Sequence, residues 1–117
     1  MSPEQVRTAF ADYIVHLNSL DPAQMMAYFA EDPLPNEARR ELFESFAAVF
    51  QTLIWEPVDV YIVGNTVANK FLATGTTPEG KVVTFDGIAV LTFNEEGKIS
   101  QQHTYWHPET IIEQLER

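Results

Sequence analysis

Few residues in this 117-residue chain stand in a pattern that chemistry could use. His103 and His107 lie four apart, a metal-ligand spacing on a helix. The residues around them favour a strand, however, where four positions span about 13 Å. A shared metal is therefore not expected. The chain has no cysteine, which removes thiolate chemistry and Cys-ligated zinc. Asp86, within a strand-forming run, could serve as an acid or base at a cavity mouth, although a solvated strand carboxylate is the plainer role. Asn69 and Gln102 are amides able to hydrogen-bond a ligand or simply to belong to a sheet. Tyr13 stands in an apolar helical stripe, where its hydroxyl needs a neighbour, a water or a ligand as partner. No Gly-rich phosphate loop, GxSxG elbow or HExxH is present. No cofactor and no metal are expected.

These side chains must be positioned by elements that the hydrophobic pattern announces. The run Lys81–Trp106 reads as two long strands around the turn Asn94-Glu95-Glu96-Gly97, rich in Val, Ile, Thr, Phe and Tyr. Upstream, Trp55 to Val63 and Thr66 to Thr76 are strand-like, with Pro57 pointing to an edge or a bulge. Gly64-Asn65 and Thr77-Pro78-Glu79-Gly80 are the intervening turns. Before them come three helices. Ser2-Pro3-Glu4-Gln5 opens the first, whose stripe is Val6, Phe10, Tyr13, Ile14 and Leu17. Asp21-Pro22 opens a short second helix that Pro33-Leu34-Pro35 ends. Asn36 can cap the third, with Leu42, Phe46, Val49, Phe50 and Leu53 as its expected apolar stripe. His107-Pro108-Glu109 starts a last helix carrying Ile111, Ile112 and Leu115.

The expected fold class is therefore α+β, a curved antiparallel sheet with three N-terminal helices on one face, a cone-shaped cavity between them and a short C-terminal helix. At this length the chain is expected to be a single domain, 1–117. A formal net charge of −10 argues against nucleic acid or an anionic membrane surface as partner. No signal-like segment or membrane-length apolar run is visible, so a cytoplasmic protein is the expectation. Strand alternation puts Ser100, Gln102, Thr104 and Trp106 on one face of the last strand and Gln101, His103, Tyr105 and His107 on the other. That second face is polar-aromatic and nearly uncharged, which predicts a homodimer through the sheet with His103 and Tyr105 at or near the contact.

Two stretches carry a family resemblance. The helix Asp12-Tyr13-Ile14-Val15-His16-Leu17-Asn18-Ser19-Leu20-Asp21, with the following MMAYFAED, resembles the opening of steroid Δ-isomerase-like proteins. The hairpin VTFDGIAVLTFNEEGKISQQHTYWHPETI resembles the closing half of SnoaL-like, polyketide-cyclase-related proteins. Both belong to the nuclear transport factor 2-like superfamily, and the resemblance implies a cone of bent sheet around a cavity, commonly dimeric through that sheet. Carried over residue by residue, Tyr13 matches an oxyanion-hole tyrosine. The second, acidic donor falls at Ala89, and a supporting tyrosine falls at Phe43, neither able to donate. The segment that holds the general base is missing after Asp32. Trp106 matches an aromatic pocket wall. Together with strand parity, the resemblance implies a small, mostly apolar ligand touching Tyr13, Asn69, Phe71, Ala89, Leu91, Gln102, Thr104 and Trp106, with the catalytic residues unknown. The alternative is an isomerase- or cyclase-like enzyme rearranged around Asp86, His103 or Asp32.

Overall fold

The computed structural model describes residues 1–30 and 36–117. Three helices, α1 (Pro3–Asn18), α2 (Pro22–Met26) and α3 (Asn36–Val49), precede four strands, β1 (Thr52–Val63), β2 (Thr66–Thr76), β3 (Val82–Phe93) and β4 (Ile99–Trp106), and α4 (Pro108–Leu115) follows. The strands form one antiparallel sheet in the order β1-β2-β3-β4. The α+β expectation holds in full. The proline run expected to end α2, and Asp32, lie outside the described residues.

The start signals act as local chemistry requires. Ser2 and Gln5 make a reciprocal capping box, with the Gln5 N–H donating to Ser2 Oγ at 3.1 Å and the Ser2 N–H donating to Gln5 Oε1 at 2.8 Å. Asp21 accepts from the Ala23 N–H at 3.0 Å to open α2. After α2 the chain runs along the free edge of β4, where the Ile99 N–H donates to Tyr28 O and the Ala30 N–H donates to Ile99 O. Asn36 opens α3 and ties it to this segment by donating from Nδ2 to Ala30 O at 2.9 Å. The β3–β4 turn closes around Asn94, whose Oδ1 accepts from the Glu96 and Lys98 N–H groups at 3.0 Å. Gly97 takes φ +80 in that turn, a value that favours glycine.

Two irregularities bend the sheet. β1 is an edge strand and its register shifts between Pro57 and Asp59, as a proline without an N–H would lead one to expect. A second shift falls between Thr92 and Phe93, with Thr92 opposite Gln101 and Phe93 opposite Ile99. It corrects the expected alternation of β4. Ser100 is the extra residue, its hydroxyl donating to Thr92 O, while Ile99 turns inward and is fully buried. At Gly87 a Cβ would lie 2.7 Å from Tyr105 O and 2.8 Å from Phe71 Cζ, so the close approach of β4 and the Phe71 ring requires glycine there.

The core fills the concave side of the sheet. Val67, Phe71 and Ala73 of β2 and Val83, Phe85, Leu91 and Phe93 of β3 are buried against Val6, Phe10, Tyr13 and Leu17 of α1. Each such side chain contributes about 1.5–3 kcal/mol by leaving water. Of the apolar stripe expected on α3, Phe46, Phe50 and Leu53 are buried, and Phe43 replaces Leu42 and Val49. Phe43 and Phe46 are the helix's buried residues, and Phe50 is buried just beyond it, whereas Leu42 and Val49 are each 38% exposed. The three phenylalanines recur at i, i+3 and i+7, which fixes the inward face. At the C-terminus, Ile111 is buried, and Gln114 grips the β3 backbone by accepting from the Thr84 N–H and donating to Thr84 O. Lys81 Nζ donates to Leu115 O and Arg117 O at the end of α4, where a cation is favourable. No helix among the described residues is long and apolar enough to cross a membrane.

Candidate functional site

The helices do not close completely over the sheet. Between α1, α3 and the ends of β1 and β4 lies a cavity of about 320 Å³, lined by Tyr13 and Leu17, by Ala38, Arg39, Leu42, Phe43 and Phe46, by Trp55, and by Gln102, Thr104 and Trp106. That volume suits a small organic molecule. Tyr13, Leu17, Phe43 and Phe46 are buried and form the inner wall, while Ala38, Leu42 and Thr104 are exposed and form the rim.

Local geometry explains why the inner wall is rigid. Asn18, at the end of α1, brackets the Trp55 backbone, accepting from its N–H at 2.8 Å and donating to its carbonyl at 3.4 Å. The Trp55 ring then packs against Phe46, Phe71 and Phe85 at centroid distances of 5.9, 5.2 and 5.3 Å. Trp106 joins the same group through Phe85 at 5.7 Å and Phe46 at 6.2 Å. Such edge-to-face and tilted contacts add to the area buried.

One polar chain crosses this wall. Arg39 Nε donates to Gln102 Oε1 at 3.2 Å, and Gln102 Nε2 donates to the Tyr13 hydroxyl oxygen at 3.4 Å. The Arg39 guanidinium lies 4.3 Å from the centre of the Phe29 ring. Burial pushes the Tyr13 pKa up to about 12, a rise that the Gln102 hydrogen bond and the Arg39 charge oppose. Tyr13 is accordingly a neutral hydroxyl at any physiological pH. Burial also lowers the pKa of Arg39 from its ordinary value, yet a guanidinium keeps its charge at neutral pH. Among the described residues the lining holds no carboxylate and no histidine. Its described side chains can orient and hydrogen-bond a molecule.

Of the residues expected at the site, Tyr13, Gln102, Thr104 and Trp106 meet on the cavity wall. Asn69, Phe71, Ala89 and Leu91 do not line it. All four are buried, and Asn69 Nδ2 donates to Ala89 O across the β2–β3 pair at 3.2 Å. The Trp55, Phe46 and Phe85 rings occupy the concave space near Phe71, which leaves the open volume toward β4 and α3. Phe43 lines the cavity without a hydroxyl. Asp86 and His103 are exposed on the convex face, opposite Leu72 and Val90 respectively. His107 instead pairs with Glu109 at 3.1 Å, and no three His, Cys, Asp or Glu side chains cluster among the described residues.

Arg39, Trp55 and Leu17 were not anticipated at the site. Arg39 shares a helical face with Leu42, Phe43 and Phe46, a spacing visible in the sequence. Trp55 sits at an inward position of β1, two residues from buried Leu53.

Comparison with known proteins agrees with this architecture. Among curated protein sequences, none matches the chain significantly. Solved structures do. AclR from Streptomyces galilaeus superposes with a TM-score of 0.85 at 16% identity, over 98% of this chain and 83% of that one. TerC, co-crystallised with polyporic acid, has a TM-score of 0.76 at 15% identity, over 97% and 99% of the two chains. SalBIII, an epoxide hydrolase/cyclase-like enzyme of pyran-ring formation in the polyether salinomycin, has a TM-score of 0.75 at 25% identity, over 94% and 97%. The sequence profile of the SnoaL-like domain matches residues 35–102, more than half of the chain and most of the sheet and α3. The chain belongs to the SnoaL-like domain family.

Proposed function

We propose that the cavity binds a small, mostly apolar molecule, and that the chain lacks the complete catalytic set of the steroid Δ-isomerase-like proteins. The observation that carries this reading is the lining itself: aromatic walls and hydrogen-bond donors around Tyr13, with no carboxylate or histidine among the described residues. Proton abstraction beside a carbonyl needs a base within hydrogen-bond reach and donors aimed at the developing oxyanion. Ala89, at the position of the second donor, has nothing to donate and lies off the lining. A cyclase-like reaction of the kind SalBIII's description carries would need an acid or base in the cavity; of the three candidates, Asp86 and His103 stand on the other face of the sheet and Asp32 lies outside the described residues. That TerC was crystallised with a small organic acid supports a ligand of comparable type. We also propose that the chain pairs with a second copy through the convex face, where Tyr61, Val63, Ile88 and Tyr105 are exposed.

Trp55 and Trp106, the only tryptophans of the chain, both line the cavity, so intrinsic fluorescence reports it directly. Titration with 2-acetylnaphthalene, a planar neutral probe, is expected to quench this emission saturably, each buried ring contributing about 2 kcal/mol. Thr104→Phe, which fills the rim, should weaken the binding. Emission that no planar probe perturbs contradicts the proposal, and turnover of a β,γ-unsaturated ketone above background would assign the cavity to catalysis instead.

A further inference from the structure

The polarity of the cavity is one-sided, and this deepens the binding reading above. A guanidinium has no acceptor, so the amide of Gln102 must turn its oxygen toward Arg39. Its Nε2 then faces Tyr13, and the tyrosine oxygen is the acceptor of that contact. The Tyr13 O–H therefore has its own proton still to donate, and no acceptor for it exists among the described residues. Trp55 Nε1–H is likewise buried without a hydrogen-bond partner. Leaving such a donor unsatisfied typically costs about 1–3 kcal/mol.

Arg39 adds a charge to these donors. It is partly buried, stacked on Phe29, bonded to the neutral amides of Gln102 and Asn36, and unpaired with any carboxylate among the described residues. The chain has 17 Asp and Glu against 7 Lys and Arg, yet none of the described acids reaches this cation. A partly desolvated charge without an anion is costly. The donors Arg39 and Tyr13 line one cavity whose remaining surface, the Trp55 ring included, is apolar or aromatic apart from Gln102 and Thr104.

We infer that the ligand of this cavity carries an acidic oxygen, as a carboxylate, phenolate or enolate, on an apolar ring-sized body. Arg39 supplies the charge, and the Tyr13 O–H is a neutral donor to the same or an adjacent oxygen. Arg39 is suited to this role because its planar fork can bind two oxygens at once. The net charge of −10 repels anions at long range, so a preference for an anion has to arise locally.

The test compares 2-naphthoate with 2-acetylnaphthalene by tryptophan fluorescence at pH 7 and low salt. The naphthoate is expected to bind at least about tenfold more tightly, a charge-assisted hydrogen bond's worth. Arg39→Gln should abolish the difference, with the naphthoate losing far more affinity than 2-acetylnaphthalene. Arg39→Lys, which keeps the charge but not the fork, should retain part of it and serves if the glutamine variant fails to fold. If the neutral probe binds as well as the acid, or if the preference survives both substitutions, the inference falls and the apolar cavity stands. If neither probe binds, the cavity reading falls and this inference with it.

Discussion

The two faces of the sheet carry the same alternating pattern and meet opposite fates. On the concave side Phe71, Phe85, Leu91 and Phe93 are no more than 5% exposed. On the convex side of the same strands Leu72 is 40% exposed, Val82 59% and Ile88 50%, and Val63 on β1 reaches 77%. Both sets are apolar, although the rings lie on the concave side. What separates them is cover, since α1 and α3 close one face and nothing among the described residues closes the other. Apolar alternation therefore shows which residues can be buried, and the placement of helices decides which are. The cavity arises where that cover is incomplete, and the convex face is the surface proposed above for a second copy.

Substitutions on one strand should break or uphold this contrast most visibly. Phe85→Ala removes a ring in contact with Phe46, Phe71, Trp55 and Trp106 and should cost about 3–5 kcal/mol in urea unfolding. Ile88→Ala, three residues on, should cost about 1 kcal/mol or less at dilutions where a monomer prevails. Equal losses would erase the distinction between the faces.

The polar chain of the cavity sharpens the contrast through pH. Tyr13 titrates near 12 in the folded chain and near 10 when unfolded, so the folded state holds this proton more tightly. Stability is then undiminished below pH 10 and falls as pH rises from 10 through 12, by roughly 3 kcal/mol in all. Tyr13→Phe should flatten that part of the alkaline limb. Alkaline melts that coincide for the variant and the parent would show that Tyr13 is not held as described.

The convex face gives the mildest effect on the fold and a clear one on assembly. Light scattering at micromolar concentration should return about twice the 13.3 kDa chain mass. Tyr105→Glu, placing a charge on a residue 64% exposed, should return the monomer with an unchanged circular dichroism spectrum. A parent chain that is monomeric at that concentration contradicts the pairing.

Most of the fold was legible because it rests on local signals: the Ser2–Gln5 box, the Asp21 cap, the Asn94–Gly97 turn and long β-branched runs. The cavity was legible only in part. Tyr13, Gln102, Thr104 and Trp106 follow from helical phase and strand parity. Asn69, Phe71, Ala89 and Leu91 satisfy the same parity, but Trp55 and the phenylalanines around it fill the space near Phe71, and no periodicity predicts how far a ring reaches. The bulge at Ser100 and the burial of Phe43 in place of Leu42 on α3 are tertiary outcomes.

The central claim, that the incompletely covered concave face takes a ligand, is most directly tested by the indole N–H signals in a proton–nitrogen spectrum. There are two, from Trp55 and Trp106. On addition of 2-acetylnaphthalene both should move together with the side-chain amide of Gln102, while the backbone amides of Tyr61 and Val63 on the convex edge stay in place. Shifts confined to Tyr61, Val63 and their neighbours, with both indoles unmoved, would contradict it.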